Sequence, residues 1–151
     1  MRTLLVGFAI ILLGCGALAQ SAAPTTAASV KEYTLTITVE GMDSTQGNLG
    51  ILIFNSPKGW AEDRQAALKD ISIPAQAPTQ KVQVKLPAGQ YAIALIHDVN
   101  VNHKLDKNWL GMPKEQWGMS NNPHATIKAP PIEKAMFTLD GDKEVKIQLQ
   151  K

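Results

Sequence analysis

Residues 91–122 read YAIALIHDVNVNHKLDKNWLGMPKEQWGMSNN, and the opening of that stretch decides the fold. In an extended chain successive side chains point to opposite faces, so Tyr91, Ile93, Leu95 and His97 share one face and Ala92, Ala94, Ile96 and Asp98 the other. Both faces are mostly apolar, which predicts a central strand covered on both sides. The apolar pattern then gives way to Asp and Asn at alternate positions, followed by a turn-rich segment holding Trp109 and Trp117.

Working outward, further segments carry strand signals. Residues 33–40 alternate Tyr33, Leu35, Ile37 and Val39 with Thr34, Thr36, Thr38 and Glu40, the period of a half-buried strand. Residues 48–54 (NLGILIF) form a nearly continuous apolar run, as in a strand covered on both faces. Ile71 and Ile73 predict a brief edge strand ending at Pro74. Residues 81–86 (KVQVKL) alternate, and Pro87-Ala88-Gly89 turns the chain into the central strand. After the long irregular segment 98–131, residues 135–139 and the alternating Val145, Ile147 and Leu149 predict a C-terminal hairpin about the turn 140–143. Residues 60–69 (WAEDRQAALK) are the one segment of helical character, enough for a single short helix. Six strands, a weak edge strand, one short helix and a long loop region predict an all-β antiparallel β-sandwich of about seven strands.

The chain has 151 residues, 44% of them hydrophobic, with 11 Gly and 9 Pro, which suits one domain. Residues 1–19 read as a secretory signal peptide: Met1-Arg2 is a short positive end, residues 3–13 are apolar apart from Thr3, and Ala17-Leu18-Ala19 is a small-x-small cleavage site. The apolar stretch falls short of a membrane span of about 20 residues. An alternative is a lipoprotein box at Leu12-Leu13-Gly14-Cys15, in which Cys15 is lipidated and tethers the protein to a membrane. Cleavage after Ala19 leaves a mature chain with no thiol, because Cys15 is the one cysteine. Residues 20–32 read as a flexible linker, leaving 33–151 as a single domain. The expected location is the periplasm or the exterior. The formal charge is +2, or +1 once Arg2 leaves with the leader, and the basic residues are scattered, so nucleic acid is not an expected partner. A ligand of the envelope or exterior is expected instead, with membrane attachment only through a lipidated Cys15.

Asp98, Asn100, Asn102 and Asp106 stand at positions 1, 3, 5 and 9 of a potential calcium loop, with Lys104 at 7, where a backbone carbonyl suffices. A loop wrapped round a hard cation turns alternate side chains inward, and Asp and Asn offer short oxygen ligands. His103 stands at position 6, the place of the turn glycine, and Trp109 at position 12, the place of the bidentate glutamate. With two carboxylates, the loop would bind Ca²⁺ only weakly, on the order of 0.1 to 1 mM. The alternative is a polar turn whose Asp and Asn side chains bond their own backbone.

Other chemistry finds less in the sequence. His97, His103 and His124, with Asp98 or Glu115 as a base, would make a transition-metal site, but their spacing follows no metal-binding pattern. His97 continues the apolar face of its strand and reads as a hydrogen-bonded residue at the rim of the core. Ser120 lacks a nucleophile elbow. Trp60, Trp109 and Trp117 either stack against a ligand or lid the open end of the sandwich.

The runs LPAGQYAIALIHDVNVNHKLD (86–106) and LGMPKEQWGMSNN (110–122), with a Pro-rich step before AMFTL (135–139), resemble the domain-of-unknown-function-2141 family of small exported bacterial proteins. Its pattern has a Gly-x-Tyr-Ala strand, an HDxNxNGxLD loop and a GxPxExxGxSNN segment. The matching positions are His97, Asp98, Asn100, Asn102, Leu105 and Asp106, then Gly111, Pro113, Glu115, Gly118, Ser120, Asn121 and Asn122. His103 replaces the family's Gly, and Val99 replaces an acidic residue. The resemblance implies a transthyretin-like or carboxypeptidase-regulatory-like sandwich and brings no activity. Together these readings predict a non-enzymatic binding or accessory module, its Asp98 loop ion-stabilised or self-bonded and its following loop tied down by Glu115, Asn121 and Asn122. The alternative is a metal-dependent hydrolase of a cell-envelope substrate, using His97, Asp98, Glu115 and His124.

Overall fold

The computed structural model describes residues 30–124 and 128–151; the signal-peptide and lipidation readings fall outside them, as does most of the linker. Among the described residues eight strands form: β1 (Glu32–Glu40), β2 (Asn48–Phe54), β3 (Lys69–Pro74), β4 (Thr79–Pro87), β5 (Gly89–Asp98), β6 (Trp117–Met119), β7 (Phe137–Leu139) and β8 (Lys143–Gln148). One sheet has the order β4-β1-β8; the other has β3-β2-β5-β6, with β7 pairing the start of β5. The architecture is a β-sandwich. All pairings are antiparallel except that of β1 with β8.

The core between the sheets follows from alternation. Leu35, Ile37 and Val39 of β1 meet Leu49, Ile51 and Ile53 of β2 and Tyr91, Ile93 and Leu95 of β5, all buried. A second apolar layer covers the outer face of the larger sheet, where Phe54, Ala92, Ala94, Trp117 and Met119 pack with Ile132 and Ala135. β5 is therefore buried on both faces and paired on both edges, by β2 and β6. The small Ala92 and Ala94 leave room on the outer face for irregular segments to lie against it.

Three expectations need correction. Residues 60–69 form no α-helix; Arg64–Ala66 make one 3-10 turn, with the Asp63 side chain accepting from the Gln65 N–H. Nucleating a helix in so short a segment is costly, and the Leu68 N–H bonds to the Ile53 carbonyl, drawing the chain into β3. Trp60, Ala61, Ala66 and Ala67 spend their apolar surface covering the sheet instead. The C-terminal hairpin does not form either: β7 joins β5 and β8 joins β1, so the turn between them carries the chain from one sheet to the other. Finally, β6 is an additional strand, too short at Trp117–Met119 to show a periodic pattern.

Candidate functional site

β5 ends at Asp98, whose side chain is buried although the loop beyond it is largely exposed. Its Oδ1 accepts from the Asn102 N–H at 3.1 Å and its Oδ2 from the His103 N–H at 2.7 Å. Asn100 Oδ1 shares the Asn102 N–H (3.2 Å), and Asn102 Oδ1 accepts from the Lys104 N–H (2.9 Å), giving successive Asx turns. The amides of Asn100 and Asn102 donate to the two oxygens of Asp106 at 2.8 and 3.0 Å. Glu115 closes the ring from the other side, accepting from the Val99 N–H at 3.0 Å and the Asp106 N–H at 3.1 Å. Alternate side chains do turn inward, and what they meet is the loop's own backbone and amides. The tightness shows in φ, which is +58° at Val101 and +63° at His103. Left-handed backbone is unfavourable for both residue types, and for β-branched valine most of all.

A second network ties the base of this loop to the turn between β1 and β2. His97 is fully buried; its Nε2 lies 2.8 Å from the Gln46 carbonyl and its Nδ1 3.3 Å from Gln116 Oε1 and 3.4 Å from Asp43 Oδ1. Gln116 is fixed by donating to the Gly41 carbonyl and accepting from the Asp43 N–H. Gly47 (φ +74°) completes the contact, since a Cβ there would stand 2.2 Å from the Asp98 carbonyl oxygen. Gln46, Gln116 and Asp43 are partners of His97 that sequence reasoning missed; the polar Gln116 beside buried Trp117 was the one available signal.

Ser120, Asn121 and Asn122 form a clamp. Ser120 Oγ accepts from the Ile93 N–H and donates to the Ala135 carbonyl. Asn121 donates to the Lys134 and Met136 carbonyls, while Asn122 donates to Lys146 and accepts from the Gln148 N–H. Both asparagines have positive φ, which Asn tolerates better than most residues. The Trp117 N–H and carbonyl also exchange bonds with Gln150, so this corner joins the two sheets.

Between these supports lies a groove of about 400 Å³ on the outer face of the larger sheet. Leu52, Ala94, Ile96 and Met119 of the sheet line it, together with residues 103–107 of the loop and Ala61 and Arg64. Arg64 is engaged by Asp70 (2.6 Å) and Lys107 lies 3.6 Å from Glu62. The sequence reading did not find this groove, because the segments that frame it are irregular. Its trace in the sequence was the pair of small outward residues on β5. The tryptophans separate: Trp60 packs edge-on against Phe54 (5.3 Å) and bonds the Pro130 carbonyl, Trp117 is buried, and Trp109 is 91% exposed and lids nothing.

His97, Asp98 and Glu115 are thus brought close in the fold but each is engaged with backbone or amide partners, and His124 is exposed. Among the described residues no three His, Cys, Asp or Glu side chains group as a metal site. The four-residue set proposed for hydrolysis does not converge. For calcium, Asp98, Asn100, Asn102 and Asp106 are linked in one hydrogen-bonded ring, in which the amide nitrogens of Asn100 and Asn102 face Asp106 and their oxygens accept backbone N–H groups. Trp109 at the twelfth loop position supplies no carboxylate.

No curated protein and no solved structure matches the chain. A family profile does, over residues 37–148, which span β1 to β8 and contain the loop, the clamp and the groove floor. The chain belongs to the DUF2141 family, described as an uncharacterized protein conserved in bacteria.

Proposed function

We propose that this chain is an exported, non-enzymatic binding module that receives the apolar body of a small ligand in the groove over β2, β5 and β6, with the Asp98 loop as its stiff wall. The groove carries this reading: about 400 Å³ with an apolar floor and a charged rim is the ordinary make-up of a small-molecule site. The side chains that would serve acid–base chemistry nearby, His97, Asp98 and Glu115, are occupied in holding the backbone. A rigid wall lowers the ordering cost of binding. The test is titration with an apolar fluorescent probe, anilinonaphthalene sulfonate, comparing wild type with Ala94→Leu, which fills the floor. Saturable binding weakened about tenfold in a variant that still melts cooperatively is expected; equal binding by both proteins would sink the groove as the site.

The gathering of Asp98, Asn100, Asn102 and Asp106 in one ring favours a second role for the same loop as a weak calcium site, the ion displacing the Asn100 and Asn102 amides from Asp106 and turning their oxygens to it. Calcium at about 100 times its dissociation constant should then stabilise the protein by roughly 2.7 kcal/mol. Identical melts in calcium and in chelator would leave the loop self-bonded and nothing more.

A further inference from the structure

Charge is sorted by direction in the segment from Asp98 to Glu115. Its carboxylates, Asp98, Asp106 and Glu115, all turn into the loop and accept backbone or amide hydrogens. Its lysines, Lys104, Lys107 and Lys114, are all exposed. The outward surface of this segment is therefore basic although the chain as a whole is nearly neutral. At its far end stands an apolar tip: Trp109 is 91% exposed, Leu110 58% and Met112 38%.

The turn that presents these side chains is braced. Asn108 Oδ1 accepts from the Leu110 and Met112 N–H groups, the Asn108 N–H donates to the Met112 carbonyl, and the Gly111 N–H donates to the Asn108 carbonyl. Lys107 and Lys114 stand at the base of its two legs, since Lys107 bridges Pro113 and the Lys114 N–H bonds the Asp106 carbonyl. Lys107 also reaches Glu62 at 3.6 Å, between exposed side chains where such a pair is readily exchanged.

We propose that this tip docks the protein on an anionic lipid surface. The apolar residues form a peg, and a protein partner would need a matching pit with an acidic rim, whereas the interface of a bilayer deforms around a peg. Tryptophan favours the depth of lipid headgroups. Lysines beside it can lay their stems along the apolar region and keep their ammonium groups among anionic headgroups. Two copies of this chain meeting tip to tip would oppose like charges, which disfavours self-association there. The attachment is reversible, because a few apolar side chains and a few lysines bind a membrane surface only modestly.

Co-sedimentation of the full processed chain with vesicles of phosphatidylglycerol and phosphatidylethanolamine, against vesicles of phosphatidylcholine alone, tests this. Wild type should sediment with the anionic vesicles, more weakly at high salt, with a blue shift of tryptophan emission. Trp109→Ser combined with Leu110→Ser should lower the bound fraction about tenfold and abolish the shift, and Lys107→Gln combined with Lys114→Gln should weaken the salt dependence, leaving the share of Lys104. These side chains are exposed, so the variants should melt as wild type does; Leu110→Glu provides an independent lesion if one does not. All proteins compared carry Cys15→Ala, because an acyl group on Cys15 would bind both vesicle types and hide these differences. Equal binding to both vesicle types, equal binding by the tip variants, or association with an acidic protein in place of anionic vesicles would overturn the proposal.

Discussion

Ile51 and Asp98 are both buried, and they hold the chain by opposite means. Ile51 lies between the sheets, where stability comes from apolar area removed from water and is shared across a contiguous core. Asp98 holds a loop that has little core of its own and is shaped by specific hydrogen bonds. The first kind of support is non-directional and tolerates similar replacements. The second depends on particular atoms, and losing one strands its partners without bonds. A region held in the second way can be rigid and exposed at once, which suits a wall for the groove proposed to bind a ligand.

Breaking the core should have the larger effect. Ile51→Ala should cost about 2–5 kcal/mol by leaving a cavity, seen as a lower denaturation midpoint with amide exchange faster throughout both sheets. Glu115→Ala should cost less, roughly 2–3 kcal/mol, by stranding the Val99 and Asp106 N–H groups. Its faster exchange should be confined to residues 98–116; exchange raised throughout the sandwich would show that loop and core are one cooperative unit and end the contrast drawn above. The smallest effect should have the opposite sign. His103→Gly relieves a left-handed residue while keeping the backbone bond to Asp98, and should raise stability by about 0.5–1 kcal/mol after the greater unfolded-state freedom of glycine is counted. A destabilised variant would mean that the His103 ring contributes more than its 3.9 Å approach to Asp98 suggests.

The sandwich was legible because its information is periodic. Leu35-Ile37-Val39 and Tyr91-Ile93-Leu95 announce their buried face with a repeat of two, and the observed core contains all of them. Pairing was less legible: Val145 and Ile147 have the alternation of a hairpin strand, but alternation does not name the neighbour, and β1 takes them in parallel. Residues 60–69 misled because alanines and charges at helical spacing also suit a strap lying on a sheet. At the site, the alternate spacing of Asp98, Asn100, Asn102 and Asp106 told which side chains turn inward and left open what they would meet. The groove was invisible because a concavity is made by segments distant in sequence, here Ala61, Ala94 and Leu105.

The parallel pairing of β1 with β8 sets an order of events. Leu35 to Glu40 gain their second neighbour only from Lys143 to Gln148, far along the chain and with every other strand in between. Such distant pairing makes folding slow, because a large loop must close before its contacts repay the cost. The smaller sheet cannot be completed until β8 has been made. Until β8 arrives the sheet stays open, and an open chain can still be threaded, which is the condition in which the proposed export would have to take it.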